Sequence, residues 1–141
     1  MLALAEAQKA FHIGEVPVGC IIVLNNRIVA RAHNLREIKN DPTAHAEIIA
    51  IRKAAQKLKG WRLMDTTIYV TVEPCAMCAG AIYQSRIGRL VYGADDPKAG
   101  VIKSLFRILD NEGINHRVAV TGGVLQEECS EILSNFFRQN R

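Results

Sequence analysis

The sequence contains no apolar run near the roughly 18 uninterrupted residues that a membrane-spanning helix requires, so no transmembrane segment is expected. Its start does not read as a secretory leader either. Met1 to Phe11 is an Ala-rich amphipathic run carrying Glu6 and Lys9, without a basic start, an apolar middle or a small-residue cleavage site. A cytoplasmic location is the expectation. There is no internal repeat, no low-complexity tract and no linker. Cysteine is scarce, with only Cys20, Cys75, Cys78 and Cys129, and in a reducing compartment a close pair suggests metal or redox chemistry rather than a structural disulfide. The charge excess is small: a net +4 is compatible with a nucleic-acid partner but does not demand one. What is present is a globular composition, 49% apolar and 23% charged. At 141 residues the chain can bury one real core and is too short for two ordinary ones, so residues 1–141 are read as a single domain.

Helix and strand patterns alternate along the chain. Leu4, Ala7, Gln8 and Phe11 lie at helical spacing, and Gly14 is placed to end that helix. Val16 to Leu24 reads as a buried strand, Asn25-Asn26 as a tight turn, and Arg27 to His33 as the returning strand of a hairpin. Asp41-Pro42 predicts the start of a second helix, with Asp41 as its cap. Ile48, Ile51, Ala55 and Leu58 form its apolar face, and Lys57, Lys59 and Gly60 suit its end. Thr66 to Val72 reads as a central strand, Cys75 to about Ser85 as a short helix, and Leu90 to Tyr92 as a strand. A polar loop is expected over Gly93 to Gly100, a helix over Val101 to Leu109 and a strand over Val118 to Val120. Leu125, Cys129, Ile132, Leu133 and Phe136 mark a final amphipathic helix. A hairpin followed by alternating elements implies a mixed sheet covered by helices.

Two short motifs carry chemistry. His45-Ala46-Glu47 stands near the start of the second helix, and Pro74-Cys75-Ala76-Met77-Cys78 near the start of the third. One histidine and two cysteines make three zinc ligands. Structural zinc sites are normally closed by four protein ligands, whereas catalytic ones keep a position open for water. Cys75 and Cys78 are three residues apart, so both sulfurs can face one point, and the positive helix N-terminus favours their ionised form. Glu47 is free to move a proton of the water, whose pKa zinc lowers to roughly 7. A thioredoxin-like redox pair would leave His45 and Glu47 unexplained, and a structural zinc knuckle lacks its fourth ligand. Cys20 lies in an apolar strand and Cys129 on an apolar helix face, where cysteine acts as a small hydrophobe. His12, His33 and His116 read as ordinary polar residues.

H-x-E followed by P-C-x-x-C is the known signature of zinc nucleobase deaminases. The sequence resembles the bacterial tRNA-specific adenosine deaminase family over nearly its whole length. The resemblance runs through Glu15-Val-Pro-Val-Gly19, His33-Asn34, Asp41-Pro-Thr-Ala-His-Ala-Glu47, Glu73-Pro-Cys-Ala-Met-Cys-Ala-Gly-Ala81, Ser85-Arg-Ile-Gly88, Asp96-Pro-Lys-Ala-Gly100, Asn115-His-Arg117 and Asn135-Phe-Phe-Arg138. It implies a three-layer α/β/α cytidine deaminase-like fold with a mixed five-stranded central sheet, one zinc per chain and a homodimer. It also implies hydrolysis of the wobble adenosine of a tRNA anticodon to inosine. Members of the family often begin several residues earlier and carry a longer basic tail, so this chain is expected to start inside the first helix and to stop short at Arg141.

The resemblance further assigns roles. His45, Cys75 and Cys78 would bind zinc, and Glu47 would shuttle protons between water, ring nitrogen and departing ammonia. Asn34 would hydrogen-bond the flipped base, Val16 and Pro17 would line the purine pocket, and the backbone at Ala46 would read the base edge. Asp96 and Lys98 would meet the RNA, and Phe137 and Arg138 would flank a nearby nucleotide. Either Phe136 or Phe137 is also needed to bury the last helix. Two rivals share some of these motifs: a deaminase of a free base such as guanine or cytosine, and a catalytically dead zinc protein that binds RNA or a partner. The segment Asp96 to Gly100 and the terminal Phe-Phe-Arg distinguish the first, and Glu47 the second.

Overall fold

A computed structural model describes residues 1–140. Five strands form one sheet in the order β2-β1-β3-β4-β5. β1 (Gly19–Leu24) and β2 (Arg27–His33) make the expected hairpin, closed by Asn25 and Asn26 at φ 51° and 63°. β3 (Thr67–Val72) pairs antiparallel with β1. β4 (Arg89–Ala94) and β5 (Ala119–Thr121) add in parallel, which makes the sheet mixed. Four helices cover it: α1 (Leu2–His12), α2 (Ala46–Leu58), α3 (Ala76–Gln84) and α4 (Gln126–Gln139).

Strand alternation sends residues to two faces. On one, Cys20, Ile22, Ile68, Val70, Leu90 and Tyr92 pack against Ala46, Ala50, Ala54, Ala79 and Ile82 of α2 and α3. The small alanines let the helix backbones sit close to the sheet, while each buried isoleucine or leucine contributes roughly 1.5–3 kcal/mol. On the other face Gly19 passes under α1, where a Cβ would collide with the Ala3 carbonyl and the Ala7 amide. Gly93 does the same under Cys129 of α4. The result is the α/β/α sandwich, with α2 and α3 on one side and α1 and α4 on the other.

Three departures from the sequence reading arise because a side chain or a proline takes over backbone bonding. The first strand begins at Gly19 rather than Val16, since Pro17 has no amide to give and the chain bends so that the Val18 amide donates to the Val16 carbonyl (2.9 Å). Helix α2 begins at Ala46 rather than after Asp41: the Asp41 carboxylate accepts from the Thr43 amide (2.8 Å) and hydroxyl (2.7 Å), forming a local turn in place of a cap. Residues 101–109 are not a helix. Apart from one 3-10 turn at Ile108–Asp110 they form successive turns, because the Glu73 carboxylate takes the amides of Ile102, Lys103 and Ser104. The loop after β4 also starts later than expected, since the strand runs on to Ala94.

Candidate active site

The site forms beyond the carboxyl end of β3, where ligands bind in sheets of this kind. The N-termini of α2 and α3 converge there. His45 is the N-cap residue of α2, extended at φ −74° and ψ 153°, and is set by the Asp41–Thr43 turn through a bond from its amide to the Thr43 carbonyl (2.8 Å). Cys75 is the N-cap residue of α3, and Cys78 follows in its first turn. His45 Nδ1 lies 3.7 Å from Cys75 Sγ and 3.6 Å from Cys78 Sγ. Among the described residues these three form the group able to hold a metal ion, their ligand atoms all within 4.8 Å of one another. Tetrahedral zinc bonds of ~2.0 Å to nitrogen and ~2.3 Å to sulfur put N and S about 3.6 Å apart, so the donor set fits a zinc ion with one position left open.

Electrostatics divide the two sulfurs. Cys75 is pushed down to about 4, first by a hydrogen bond from the Cys78 thiol and then by His45. Cys78 is raised, because it donates to that thiolate and because it is buried. The pair thus shares one proton, and His45, hydrogen-bonded to Cys75, is shifted up. Burial raises Glu47 to about 7, helped by the Cys75 thiolate. A cation held by the three ligands would favour the ionised form of all these carboxyl and thiol groups, adding to the downward shift of Cys75 and opposing the upward shifts of Cys78 and Glu47.

A cavity of about 200 Å³ opens over these groups, lined by His45, Glu47, Cys75, Asn34, Val16, Ala46 and Asp96. That is below the range of drug-sized sites, roughly 300–1,000 Å³, and suits one small planar group. Asn34 is buried: its amide group donates to the Val16 carbonyl (3.3 Å) and its Oδ1 accepts from the Arg36 amide (3.1 Å). Asp96 Oδ1 accepts from the Lys98 and Ala99 amides (3.1 and 3.2 Å). Pro17 is fully buried behind the Val16–Val18 bend and does not line the cavity. Lys98, Phe137 and Arg138 are exposed and lie outside its wall. Phe136 is the buried phenylalanine of α4, edge-on to Phe11 with ring centroids 6.0 Å apart. Cys20 and Cys129 are buried and are not part of the three-ligand group.

Sequence reasoning passed over Arg36, Val18, Val72, Glu73 and Ala99, which also line the cavity. Glu73 had a signal, an acidic residue directly before Pro74-Cys75; Arg36 had none. A larger apolar groove of about 370 Å³ lies on the opposite sheet face between α1 and α4, but only the smaller cavity holds converging titratable groups.

Comparison with known proteins agrees with this geometry. The sequence matches the MafB19-like deaminase family over residues 1–141. It is 50% identical over 139 residues to the tRNA-specific adenosine deaminase of Bacillus subtilis, covering 99% of this chain and 86% of that one. It is 52% identical over 140 residues to the protein of the same name from Haemophilus influenzae, with 99% and 81% covered. A solved structure from work on A-to-I editing by tRNA A34 deaminases at the wobble position superimposes with a TM-score of 0.90 at 46% identity, covering 94% of this chain and 96% of that one.

Proposed function

We propose the function on one premise: the chain belongs to the MafB19-like deaminase family and, within it, to the tRNA-specific adenosine deaminases. It is a hydrolase that converts the wobble adenosine of a tRNA anticodon to inosine and ammonia. The single observation that carries this reading is the open His45–Cys75–Cys78 trio beside buried Glu47 at the foot of a base-sized cavity. We read residues 1–141 as one zinc-dependent deaminase domain acting in the cytoplasm.

His45 Nδ1 and the two thiolates would hold one zinc, a choice favoured by thiolate-rich ligation. When bound, zinc makes a water acidic enough to ionise near neutral pH. Glu47 accepts a proton from the attacking water, delivers it to the ring nitrogen of adenine, and then serves the departing ammonia. Its raised pKa suits a group that must both take and give a proton near neutrality. Asn34 has an amide hydrogen left for the base after bonding Val16, and the Ala46 amide, in the first turn of α2, has no intrahelical partner and faces the base edge. Val16 packs against the purine, with Pro17 behind it fixing the bend.

An anticodon loop presents bases that splay out at low cost, whereas a duplex does not. Asp96 at the cavity wall, with Lys98, meets the RNA, and Phe137 and Arg138 flank a neighbouring nucleotide by stacking and charge. Phe137 is 55% exposed, which leaves its ring available. The protein acts as a homodimer; exposed Leu105 and Phe106 offer the kind of apolar surface that an interface covers. Turnover of an adenosine-containing anticodon stem-loop, set beside free adenosine, guanine and cytosine, tests the substrate. Inosine in the stem-loop with little reaction of the free compounds is expected, and brisk turnover of a free base would overturn the RNA assignment.

A further inference from the structure

Glu73 stands two residues before Cys75, yet it is not one of the three metal-site ligands. It is 2% exposed and lines the cavity. Its two carboxylate oxygens are saturated. Oε1 accepts from the Asp96 amide (3.0 Å) and the Ser104 hydroxyl, and Oε2 accepts from the amides of Ile102 (3.0 Å), Lys103 (2.8 Å) and Ser104 (2.9 Å). The chain between these donors, residues 96–104, is neither strand nor helix and has no ladder of its own. It is drawn so close that a Cβ on Gly100 would collide with the carboxyl group. The same segment supplies Asp96 and Ala99 to the cavity wall. A bond from the Val101 amide to the Pro74 carbonyl (3.1 Å) ties it again to the segment that joins β3 to Cys75.

We infer that Glu73 is a positioning residue, whose buried carboxylate replaces regular secondary structure for segment 96–104 and so fixes the cavity wall carrying Asp96 and Ala99 against the segment that joins β3 to Cys75. Four convergent backbone amides and a hydroxyl satisfy a carboxylate fully, and a carboxylate with two oxygens is the acceptor that can serve them all. An amide in its place cannot. A glutamine offers one oxygen and an NH2 group, and whichever way it turns, at least one buried backbone amide faces a donor.

The test has two arms. In the native protein, hydrogen exchange should show the amides of residues 102–104 strongly protected although they lie in no helix or strand. Exchange at the rate of an open loop would overturn the inference whatever the enzyme does, and needs no substrate. The kinetic arm rests on the proposed function. For Glu73→Gln, exchange of residues 96–104 should accelerate, KM for the anticodon stem-loop should rise roughly tenfold, and kcat should stay within about threefold of native with bound zinc unchanged. Ser104→Ala, which removes only the hydroxyl donor, should move KM by less than about threefold. Unaltered KM and exchange in Glu73→Gln would remove the positioning role, and loss of zinc with a matching fall in kcat would assign Glu73 to the metal site instead. If the native enzyme makes no inosine at all, the proposed function fails, while the native exchange result still stands or falls by itself.

Discussion

Glu6, Glu15, Glu47 and Glu73 are all buried, yet only one is set up to exchange protons. Glu6 accepts from Lys9 and His33, Glu15 from the amides of Glu37 and Ile38, and Glu73 from five donors. For Glu47, burial outweighs its own backbone amide, the nearby His45 and the Cys78 thiol, so its pKa rises toward 7 instead of falling. A proton acceptor must be ionised, so activity should fall as pH drops through the Glu47 pKa. A cation bound by the three ligands would pull that value down from about 7, and the acid limb of kcat/KM should therefore have its midpoint between the ordinary 4.5 and about 7, with a one-proton slope. A rate flat down to pH 4.5 would contradict this. A second expectation concerns the metal-free protein. With its pKa lowered to about 4, Cys75 is a thiolate at pH 6, whereas Cys78 and fully buried Cys20 are shifted up and stay protonated. Iodoacetamide at pH 6 should label Cys75 after zinc is chelated, and zinc should protect it. Equal labelling of Cys78, mapped by mass spectrometry, would contradict the division of the pair. His45→Ala should lose most of its bound zinc, read by metal analysis; an unchanged zinc content would end its role as a ligand.

At the scale of elements, small residues decide how helices meet the sheet. Gly19→Ala should push α1 off β1 by its clash with helix backbone, costing about 3 kcal/mol and lowering Tm by roughly 10 °C. Zinc content should survive, since α1 supplies none of the three ligands. An unaltered melting curve would mean that α1 is free to move. The end of α2 offers the reverse case. Lys59, not Gly60, occupies the left-handed region at φ 57°, so Lys59→Gly should stabilise by about 0.5–1 kcal/mol, and a lowered Tm would count against that reading. The helix ends within the span that Lys57, Lys59 and Gly60 mark in the sequence, but the left-handed position falls on the lysine and not on the glycine. Other elements were legible where periodicity and turn chemistry agreed, as in the hairpin through Asn25-Asn26 and the amphipathic α4. They were illegible where a distant carboxylate bonds the backbone. Nothing local in residues 101–109 announces Glu73, and nothing local in Asp41-Pro42 says that the side chain will close a turn instead of capping a helix.

For the whole molecule, the metal centre was more legible than its surroundings. His45, Cys75, Cys78 and Glu47 sit at two helix starts whose motifs dictate their spacing, and the sheet brings those starts together. Val16, Asn34 and Asp96 come from three separate loops, and their meeting in one cavity depends on tertiary bonds that no short window of sequence contains. Lys98, Phe137 and Arg138 lie outside that cavity, so their part in recognition depends on how a long RNA crosses the surface, while buried Pro17 can act only by fixing the bend behind Val16. Lys98→Ala and Arg138→Ala should each weaken stem-loop binding and reduce its salt dependence, leaving kcat nearly intact. A loss of kcat with KM unchanged would instead place them in the chemistry. Inosine formation in an anticodon stem-loop by the zinc-loaded protein, beside a Glu47→Ala variant of equal zinc content, is the decisive measurement. Product from the native chain is expected, with a loss of at least about a hundredfold in the variant. Undiminished turnover by Glu47→Ala would contradict it.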